Sequence, residues 1–191
     1  MKINLPNKLT LVRIALIPVF VVLLYFENLW CQLAAAVVFI GASITDYLDG
    51  NIARKQNLVT NFGKFADPIA DKMLVMSAFI MLVAQGRMPA WVCIVFLGRE
   101  FTVSGFRLVA AGGGKVIAAG MLGKIKTVTQ MIAAVMLILF VPCTGQIDAM
   151  LGWFGDIGQV LANIMMYVMT VMTVWSGVDY IYKNRHFIKD M

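Results

Sequence analysis

Metal-binding and charged side chains are scarce in this sequence of 191 residues. It holds one histidine and three cysteines, and only 14% of its residues are Asp, Glu, Lys or Arg. Cys31, Cys93 and Cys143 lack the paired spacing of a zinc site, and His186 has no second histidine to act with it. We therefore expect neither a zinc centre nor a disulfide framework, and we interpret the cysteines as small apolar side chains in helices.

Long polar stretches are also missing, which points to the class of protein. Hydrophobic residues make up 61% of the chain, its mean hydropathy is +0.84 and its formal net charge is +6, whereas soluble domains are about half apolar. Apolar segments recur from end to end without an internal repeat. We expect one all-α integral membrane domain over residues 1–191. The first apolar segment contains Arg13 and lacks a small-residue cleavage site, so an uncleaved span is predicted rather than a signal peptide.

Polar breaks divide the chain into six apolar segments, each near the length of about 20 residues that crosses a bilayer as a helix. The expected spans run from Leu9 to Phe26, from Leu33 to about Gly50, from Phe65 to Gly86, from Trp91 to Gly112, from Thr127 to Pro142 and from Ile157 to Tyr182. A polar loop, Gly50 to Asn61, is predicted between the second span and the third.

Basic residues predict the orientation of these spans. With the N-terminus in the cytosol, every Lys and Arg except Arg87 falls on the cytosolic side or in the inner part of a span, as the positive-inside rule requires. We therefore predict a multi-pass protein of the cytoplasmic membrane with both termini in the cytosol.

Four aspartates stand out in this apolar chain. Asp46 and Asp49 are three residues apart near the end of the second span, and Asp67 and Asp71 are four apart at the start of the third. Each charge costs about 2.5–3.5 kcal/mol if it is left at mid-membrane, so something must compensate them. The spacings place each pair on one helical face. Because a short loop makes the two helices antiparallel neighbours, we expect both faces to meet just below the cytosolic interface.

Such a cluster of carboxylates predicts divalent cations. Carboxylate oxygens are the ligands that Mg²⁺ prefers, and paired ions recur in displacement at phosphorus. Mg²⁺ usually completes its shell with phosphate oxygens, which favours a substrate that carries a diphosphate. Gly50 and Gly63 offer close backbone approach to it, and Arg54 offers a fork of donors for phosphate.

The pattern D-x2-D-G-x2-A-R-x8-G-x3-D-x3-D resembles the signature of the CDP-alcohol phosphotransferases. Its fixed positions are filled by Asp46, Asp49, Gly50, Ala53, Arg54, Gly63, Asp67 and Asp71. An opening Pro6-Asn7-x-x-Thr10-x-x-Arg13 extends the resemblance, without a role for Thr10 or Arg13. The resemblance implies a six-transmembrane-helix bundle, an active site that faces the cytosol and a homodimer.

The resemblance also implies roles for single residues. The ligands of two metal ions, Mg²⁺ or alternatively Mn²⁺, would be Asp46, Asp49, Asp67 and Asp71. The residues that bind the CDP moiety would be Asp46, Gly50, Arg54 and Gly63. Asp71 would in addition be the base that deprotonates the hydroxyl of the acceptor.

Within the family, Gly98 to Arg107 and Leu122 to Thr127 resemble the members that use CDP-diacylglycerol and sn-glycerol 3-phosphate, with phosphatidylglycerophosphate and CMP as products. The basic residues of these two segments favour an acceptor that carries negative charge. Arg99 and Arg107 are eight apart, on nearly one face of the fourth helix, and Lys124 and Lys126 are predicted in the loop before the fifth. We expect these four to bind the acceptor phosphate, and we interpret Glu100 as a salt-bridge partner between helices.

Other interpretations stay open. Structural ion pairs with Arg54, Lys72 or Arg99 would neutralise some of the aspartates without a metal. The same chemistry could serve serine, inositol phosphate or phosphatidylglycerol as acceptor. A prenyltransferase would carry two separated Asp-rich motifs on a longer bundle, and a cation transporter would place its site near the midplane between repeated halves. Asp179 is left without a role, and no nucleic-acid partner is predicted.

Overall fold

The structure is a computed structural model that describes residues 5–26, 28–55, 61–112, 120–141 and 153–185. Side chains are described within these ranges except at 5–7, 46–55, 61–68, 71, 111–112 and 153–154. Six helices and no strand occur in these ranges, which confirms the all-α prediction. The helices are α1 (Leu5–Tyr25), α2 (Leu29–Lys55), α3 (Asn61–Ala84), α4 (Ala90–Gly112), α5 (Met121–Phe140) and α6 (Trp153–Asn184).

Two predicted loops are wrong at their edges. Helix α2 continues through Gly50 to Lys55, and α3 already begins at Asn61, because the residues after Gly50 contain no proline and one glycine costs a helix only about 1 kcal/mol. Lys124 and Lys126 lie in α5 rather than in a loop. The Gly120 carbonyl accepts hydrogen bonds from the backbone N–H groups of Gly123 and Lys124 at 3.1 and 3.3 Å, so the first turn of α5 forms before these lysines.

Helix packing places α1 against both α2 and α3, α5 against α6, and α4 against α6. Among the described residues, α1 contacts α2 and α3 more extensively than these two contact each other, so the predicted direct pairing of α2 with α3 is a minor part of the core. Phe20 of α1 meets Phe39 of α2 with ring centroids 5.7 Å apart. Phe79 of α3 and Phe96 of α4 meet edge to face at 4.8 Å.

The outer surface of the bundle is apolar, as expected of a protein in contact with lipid. Within the described ranges, three helical segments are long and apolar enough to cross a membrane, and these are Lys8–Tyr25, Met121–Phe140 and Gly155–Asn184. Tyr25, Trp30 and Trp91 are exposed where α1 ends and where α2 and α4 begin. Aromatic side chains of this kind gather at the boundary between membrane and water, so these residues mark one end of the bundle.

A capped turn closes this end between α3 and α4. Gly86 has φ +71°, a conformation that glycine adopts without strain. Its N–H donates to the Val83 carbonyl at 3.0 Å and the N–H of Arg87 donates to the Leu82 carbonyl at 2.8 Å, which together form a Schellman motif. These bonds satisfy carbonyls that the end of α3 leaves without a helical partner.

The same turn also caps two other helices. The Arg87 guanidinium is buried and donates from Nη1 to the Ile138 carbonyl at 3.0 Å, near the end of α5. Gln85 donates to the Leu24 carbonyl near the end of α1. A cation at a helix C-terminus is favoured by the helix dipole, which explains why Arg87 departs from the charge pattern of the other basic residues.

Replacing Gly158 of α6 by alanine should destabilise the bundle, although alanine forms helices better than glycine. A Cβ at position 158 would lie 2.2 Å from Cδ1 of Phe140 in α5, and overpacking costs about 1–3 kcal/mol. The midpoint of thermal unfolding of the purified protein should fall. Gly105→Ala is the matched control, because a Cβ there meets nothing within 4 Å, and its midpoint should stay or rise. A Gly158→Ala midpoint at or above the wild-type value would contradict this packing.

Candidate active site

The acidic motif lies on helical backbone at one end of the bundle. Asp46 and Asp49 fall in the last three turns of α2, and Asp67 and Asp71 fall in the first three turns of α3. Residues 56–60 alone separate the two helices, so all four backbone positions belong to the end opposite the α3–α4 turn. The predicted helical spacing of each aspartate pair is confirmed.

The side chains of this motif lie outside the described residues. The same holds for Gly50, Arg54 and Gly63, which the sequence assigns to the CDP moiety. Among the side chains that the structure does describe, no three His, Cys, Asp or Glu residues lie close enough together to hold a metal ion. The four aspartates were not among them, so the metal site stays a prediction that rests on the chemistry of the motif.

Glu100, near the middle of α4, gathers two of the predicted acceptor cations. Its Oε1 accepts a hydrogen bond from Nη1 of Arg99 at 2.7 Å and another from Nζ of Lys126 in α5. The side chains of Arg99 and Glu100 are each 12% exposed and that of Lys126 is 3% exposed. The interpretation of Glu100 as a salt-bridge partner between helices is confirmed. These three side chains together carry two positive charges and one negative charge.

The Glu100 carboxylate offsets the repulsion between Arg99 and Lys126, because both cations bind its Oε1. Like charges about 4 Å apart repel by about 4 kcal/mol at an effective dielectric constant of 20, and a cation without a counterion is costly inside a membrane bundle. Lys126 is also held by an aromatic face, since its Nζ lies 4.8 Å from the ring centroid of Phe96. Arg99, Glu100 and Lys126 form the Glu100 cluster.

A glycine of α6 leaves room for the Arg99 stem, and a glycine of α5 lies beside its guanidinium. A Cβ at Gly177 of α6 would lie 3.1 Å from Cγ of Arg99, and a Cβ at Gly123 of α5 would lie 3.8 Å from its Nη2. The Nε atom of Arg99 is buried and has no hydrogen-bond partner among the described residues. A buried donor of this kind is costly when it stays unpaired, so the guanidinium has donor capacity left for a ligand.

Lys72 connects the acidic helix to this cluster. It follows Asp71 in α3, and its Nζ donates a hydrogen bond to Oγ of Ser104 in α4. The Ser104 hydroxyl in turn donates to the Glu100 carbonyl at 2.6 Å. Counted from the α3–α4 turn, Lys72 and Ser104 lie about 18 and 21 Å along their helices. The turn of α3 that carries Asp71 is therefore held beside the turn of α4 that carries Glu100.

Arg107 and Lys124 lie outside the Glu100 cluster in the described structure. Both side chains are exposed. Arg107 lies about 12 Å further along α4 than Arg99, with its Cζ 5.7 Å from the ring centroid of Tyr180 in α6. Lys124 precedes Lys126 by two residues, and side chains two apart on a helix face different directions. Their predicted contact with the acceptor phosphate stays a prediction.

Three further polar residues that the sequence left without a role have defined places. Thr10 and Arg13, three apart on α1, are almost wholly buried, so they share the face that α1 turns to the bundle. Asp179 pairs with Lys183 one turn later in α6 at 2.9 Å, which makes it a helix-surface ion pair.

The link from Lys72 to Ser104 was not predicted, because it joins positions 32 residues apart that carry no shared motif.

Apolar space adjoins the cluster on the side of α6. A groove of about 780 Å³ between α4 and α6 is walled mainly by apolar side chains such as Trp91, Val171 and Trp175. A smaller cavity of about 180 Å³ shares Val174 and Val178 with that groove and reaches Arg99. The stem of Arg99 therefore faces apolar space while its head lies on Glu100, as is usual for a long basic side chain at a membrane boundary.

Comparisons with known proteins agree with the motif. A family model described as CDP-alcohol phosphatidyltransferase matches residues 3–175. The chain is 46% identical to the CDP-diacylglycerol–glycerol-3-phosphate 3-phosphatidyltransferase of Bacillus subtilis (strain 168), with 97% of each chain covered. It is 40% identical to the protein of that name from Rickettsia typhi, over 93% of this chain and 94% of the relative. It is 36% identical to the Escherichia coli (strain K12) protein of that name, over the full length of both.

Lys72→Met should destabilise the bundle more than Lys183→Met does. A hydrogen bond from a charged donor in a half-buried place contributes about 1.5–3 kcal/mol, whereas an exposed ion pair one turn apart on a helix contributes about 0.3–0.5 kcal/mol. Lys183 is exposed and pairs with Asp179 of its own helix, so it is the matched control. Thermal unfolding of both purified variants measures the difference, and equal shifts would contradict the link between α3 and α4.

Proposed function

The chain belongs to the CDP-alcohol phosphatidyltransferase family, an all-α membrane family, and we propose that it transfers the phosphatidyl group of CDP-diacylglycerol to sn-glycerol 3-phosphate. The products are phosphatidylglycerophosphate and CMP. The relatives in Bacillus subtilis, Rickettsia typhi and Escherichia coli carry names that state this reaction, and each covers nearly the whole chain.

The Glu100 cluster is the observation in this structure that carries the choice of acceptor. Two cations from α4 and α5 meet there within the bundle, and cations of this kind suit a phosphate better than an uncharged alcohol. The Lys72–Ser104 hydrogen bond holds this charge beside the turn that carries Asp71. An acceptor phosphate bound there would lie near the turn of α3 that carries Asp71.

The carboxylates of the motif fit a pair of hard divalent cations, Mg²⁺ or alternatively Mn²⁺, in the chemistry of their oxygen donors. The ligands would be Asp46, Asp49, Asp67 and Asp71. When bound, such ions supply positive charge to the attacking and leaving oxygens of a displacement at phosphorus.

The residues of the chain then divide the work. Asp46, Gly50, Arg54 and Gly63 bind the CDP moiety. The basic residues, Arg99 and Lys126 with Arg107 and Lys124, hold the acceptor phosphate. Asp71 removes the proton from the primary hydroxyl of the acceptor, whose oxygen forms a bond to the phosphorus that carries diacylglycerol. The bond from that phosphorus to the CMP oxygen breaks, and CMP leaves with the electron pair.

The location follows from the same arrangement. The lipid chains of donor and product stay in the bilayer, while CMP and glycerol 3-phosphate are water-soluble. A cytosolic site at the inner boundary of the cytoplasmic membrane serves both, with the N- and C-termini on that side and six crossings between them. The positive charge of the inner segments supports this orientation. The functional unit is proposed to be a homodimer, as in the family that the motif resembles.

A transfer to another acceptor is the rival function. Serine carries no phosphate and would offer the Glu100 cluster only its carboxylate, whereas inositol phosphate and phosphatidylglycerol carry a phosphate. Release of CMP from CDP-diacylglycerol, measured with each of these acceptors in turn, separates the candidates. We expect sn-glycerol 3-phosphate to give the highest rate, and a protein indifferent to it would contradict the proposal.

Asp71→Asn should lower kcat at least about 100-fold, because general-base catalysis contributes about 10²–10⁴-fold and an amide cannot take the proton. The measurement is CMP release that requires both glycerol 3-phosphate and a divalent cation. Asp156→Asn is the matched control, since Asp156 is exposed at the start of α6, and its kcat should stay near the wild-type value. Equal rates for Asp71→Asn and the wild type would remove Asp71 from the role of base.

Arg99→Lys should raise the KM for glycerol 3-phosphate about tenfold and leave the KM for CDP-diacylglycerol within about twofold. The substitution keeps the charge beside Glu100 but removes the fork of donors that binds two phosphate oxygens. Arg185→Lys is the matched control, because Arg185 is exposed over the ring of Tyr182, away from the cluster. A higher KM for both substrates, or for neither, would show that Arg99 does not bind the acceptor.

A further inference from the structure

Glu100 holds only part of the Arg99 guanidinium. Its Oε1 accepts a hydrogen bond from Nη1 of Arg99. The opposite edge of the guanidinium, formed by Nε and Nη2, does not contact Glu100. Neither Nε nor Nη2 makes a hydrogen bond to a described residue, and Nε is buried. That edge presents two parallel N–H groups, an arrangement that binds two oxygens of a phosphate at once. The side chain is therefore fixed at one nitrogen and open at its two-donor edge.

The surroundings keep this edge in place. The stem of Arg99 lies against Gly177, where a Cβ would approach its Cγ to 3.1 Å, and Gly123 lies beside Nη2, where a Cβ would make an ordinary contact at 3.8 Å. Lys126 approaches the same Glu100 oxygen from α5 and lies over the Phe96 ring. Two cations from different helices thus converge through a single carboxylate oxygen.

We propose that Glu100 is a positioning residue for the acceptor: by binding Nη1 of Arg99 and Nζ of Lys126, it turns the Nε–Nη2 edge and the ammonium toward one phosphate. This inference rests on the proposed function, and it assigns the acidic residue of the cluster a part in acceptor binding. Glu100 does not touch the substrate. Without its charge, Arg99 and Lys126 repel each other and move apart, so the two-donor edge loses its fixed direction.

A purely structural role for Glu100 would predict a different result. If the carboxylate only neutralised two cations within the bundle, its loss would lower stability and would change the kinetics of both substrates alike. A positioning role instead predicts a selective loss of acceptor binding. The ratio between the KM values of the two substrates separates the roles, because a stability change does not alter that ratio.

The experiment uses the full-length protein, reconstituted with CDP-diacylglycerol, and measures CMP release against the concentration of glycerol 3-phosphate. Glu100→Gln should raise the KM for glycerol 3-phosphate about tenfold, the loss expected for one charge-assisted hydrogen bond, with the KM for CDP-diacylglycerol within about twofold. Glu100→Asp keeps the charge on a shorter stem and should raise that KM by an intermediate factor. Asp179→Asn breaks another ion pair of the bundle and should leave both KM values unchanged.

The outcomes separate this inference from the proposed function. Wild-type protein that releases no CMP with glycerol 3-phosphate overturns both. A wild type that is active, with an unchanged acceptor KM in Glu100→Gln, overturns the role of Glu100 alone, and so does an equal rise for both substrates. If Glu100→Gln does not fold, Glu100→Asp decides: an acceptor KM equal to the wild-type value overturns the role, and a selective rise supports it.

Discussion

Charged side chains inside an apolar bundle need charged or polar partners, and this requirement organises the centre of the molecule. Glu100 on α4 forms salt bridges with Arg99 of its own helix and with Lys126 of α5. Lys72 of α3 is bound by Ser104 of the same central helix, and the stem of Arg99 packs on a glycine of α6. Helix α4 therefore touches three neighbours through polar or basic side chains. A bundle held together only by apolar contacts, which are equally favourable with lipid, would have no such reason to choose one arrangement.

The bilayer made the helices predictable. A span of about 20 apolar residues is required by its thickness, and the positive-inside rule assigns direction, so the number and order of the helices follow from hydropathy and charge. Helix ends do not follow in the same way. Hydropathy marks where a segment leaves the hydrocarbon, whereas α2 continues as far as Lys55 and α5 begins three residues before Lys124. Polar residues remain helical there because the backbone hydrogen bonds continue regardless of the solvent around the side chains.

Within the site, local patterns were informative and long-range ones were not. Residues three or four apart on a helix share a face by geometry, so the pairing of the aspartates was accessible from spacing alone. Glu100 was recognisable as a salt-bridge partner because a lone acid in a membrane helix demands one. The bond from Lys72 to Ser104 depends instead on how α3 lies against α4, which no spacing encodes. The same limit applies to α1, whose contacts with both α2 and α3 could not be read from the short connection between those two helices.

The short turn between α3 and α4 forms hydrogen bonds with the ends of two other helices. Gln85 and Arg87 bind carbonyls at the ends of α1 and α5, so four helices meet in one hydrogen-bonded rim on the side away from the aspartates. These hydrogen bonds restrain the helices at that end of the bundle. Any spreading of the helices that admits substrate or releases product would then be smallest at this rim and largest at the end of the bundle that carries the acidic motif.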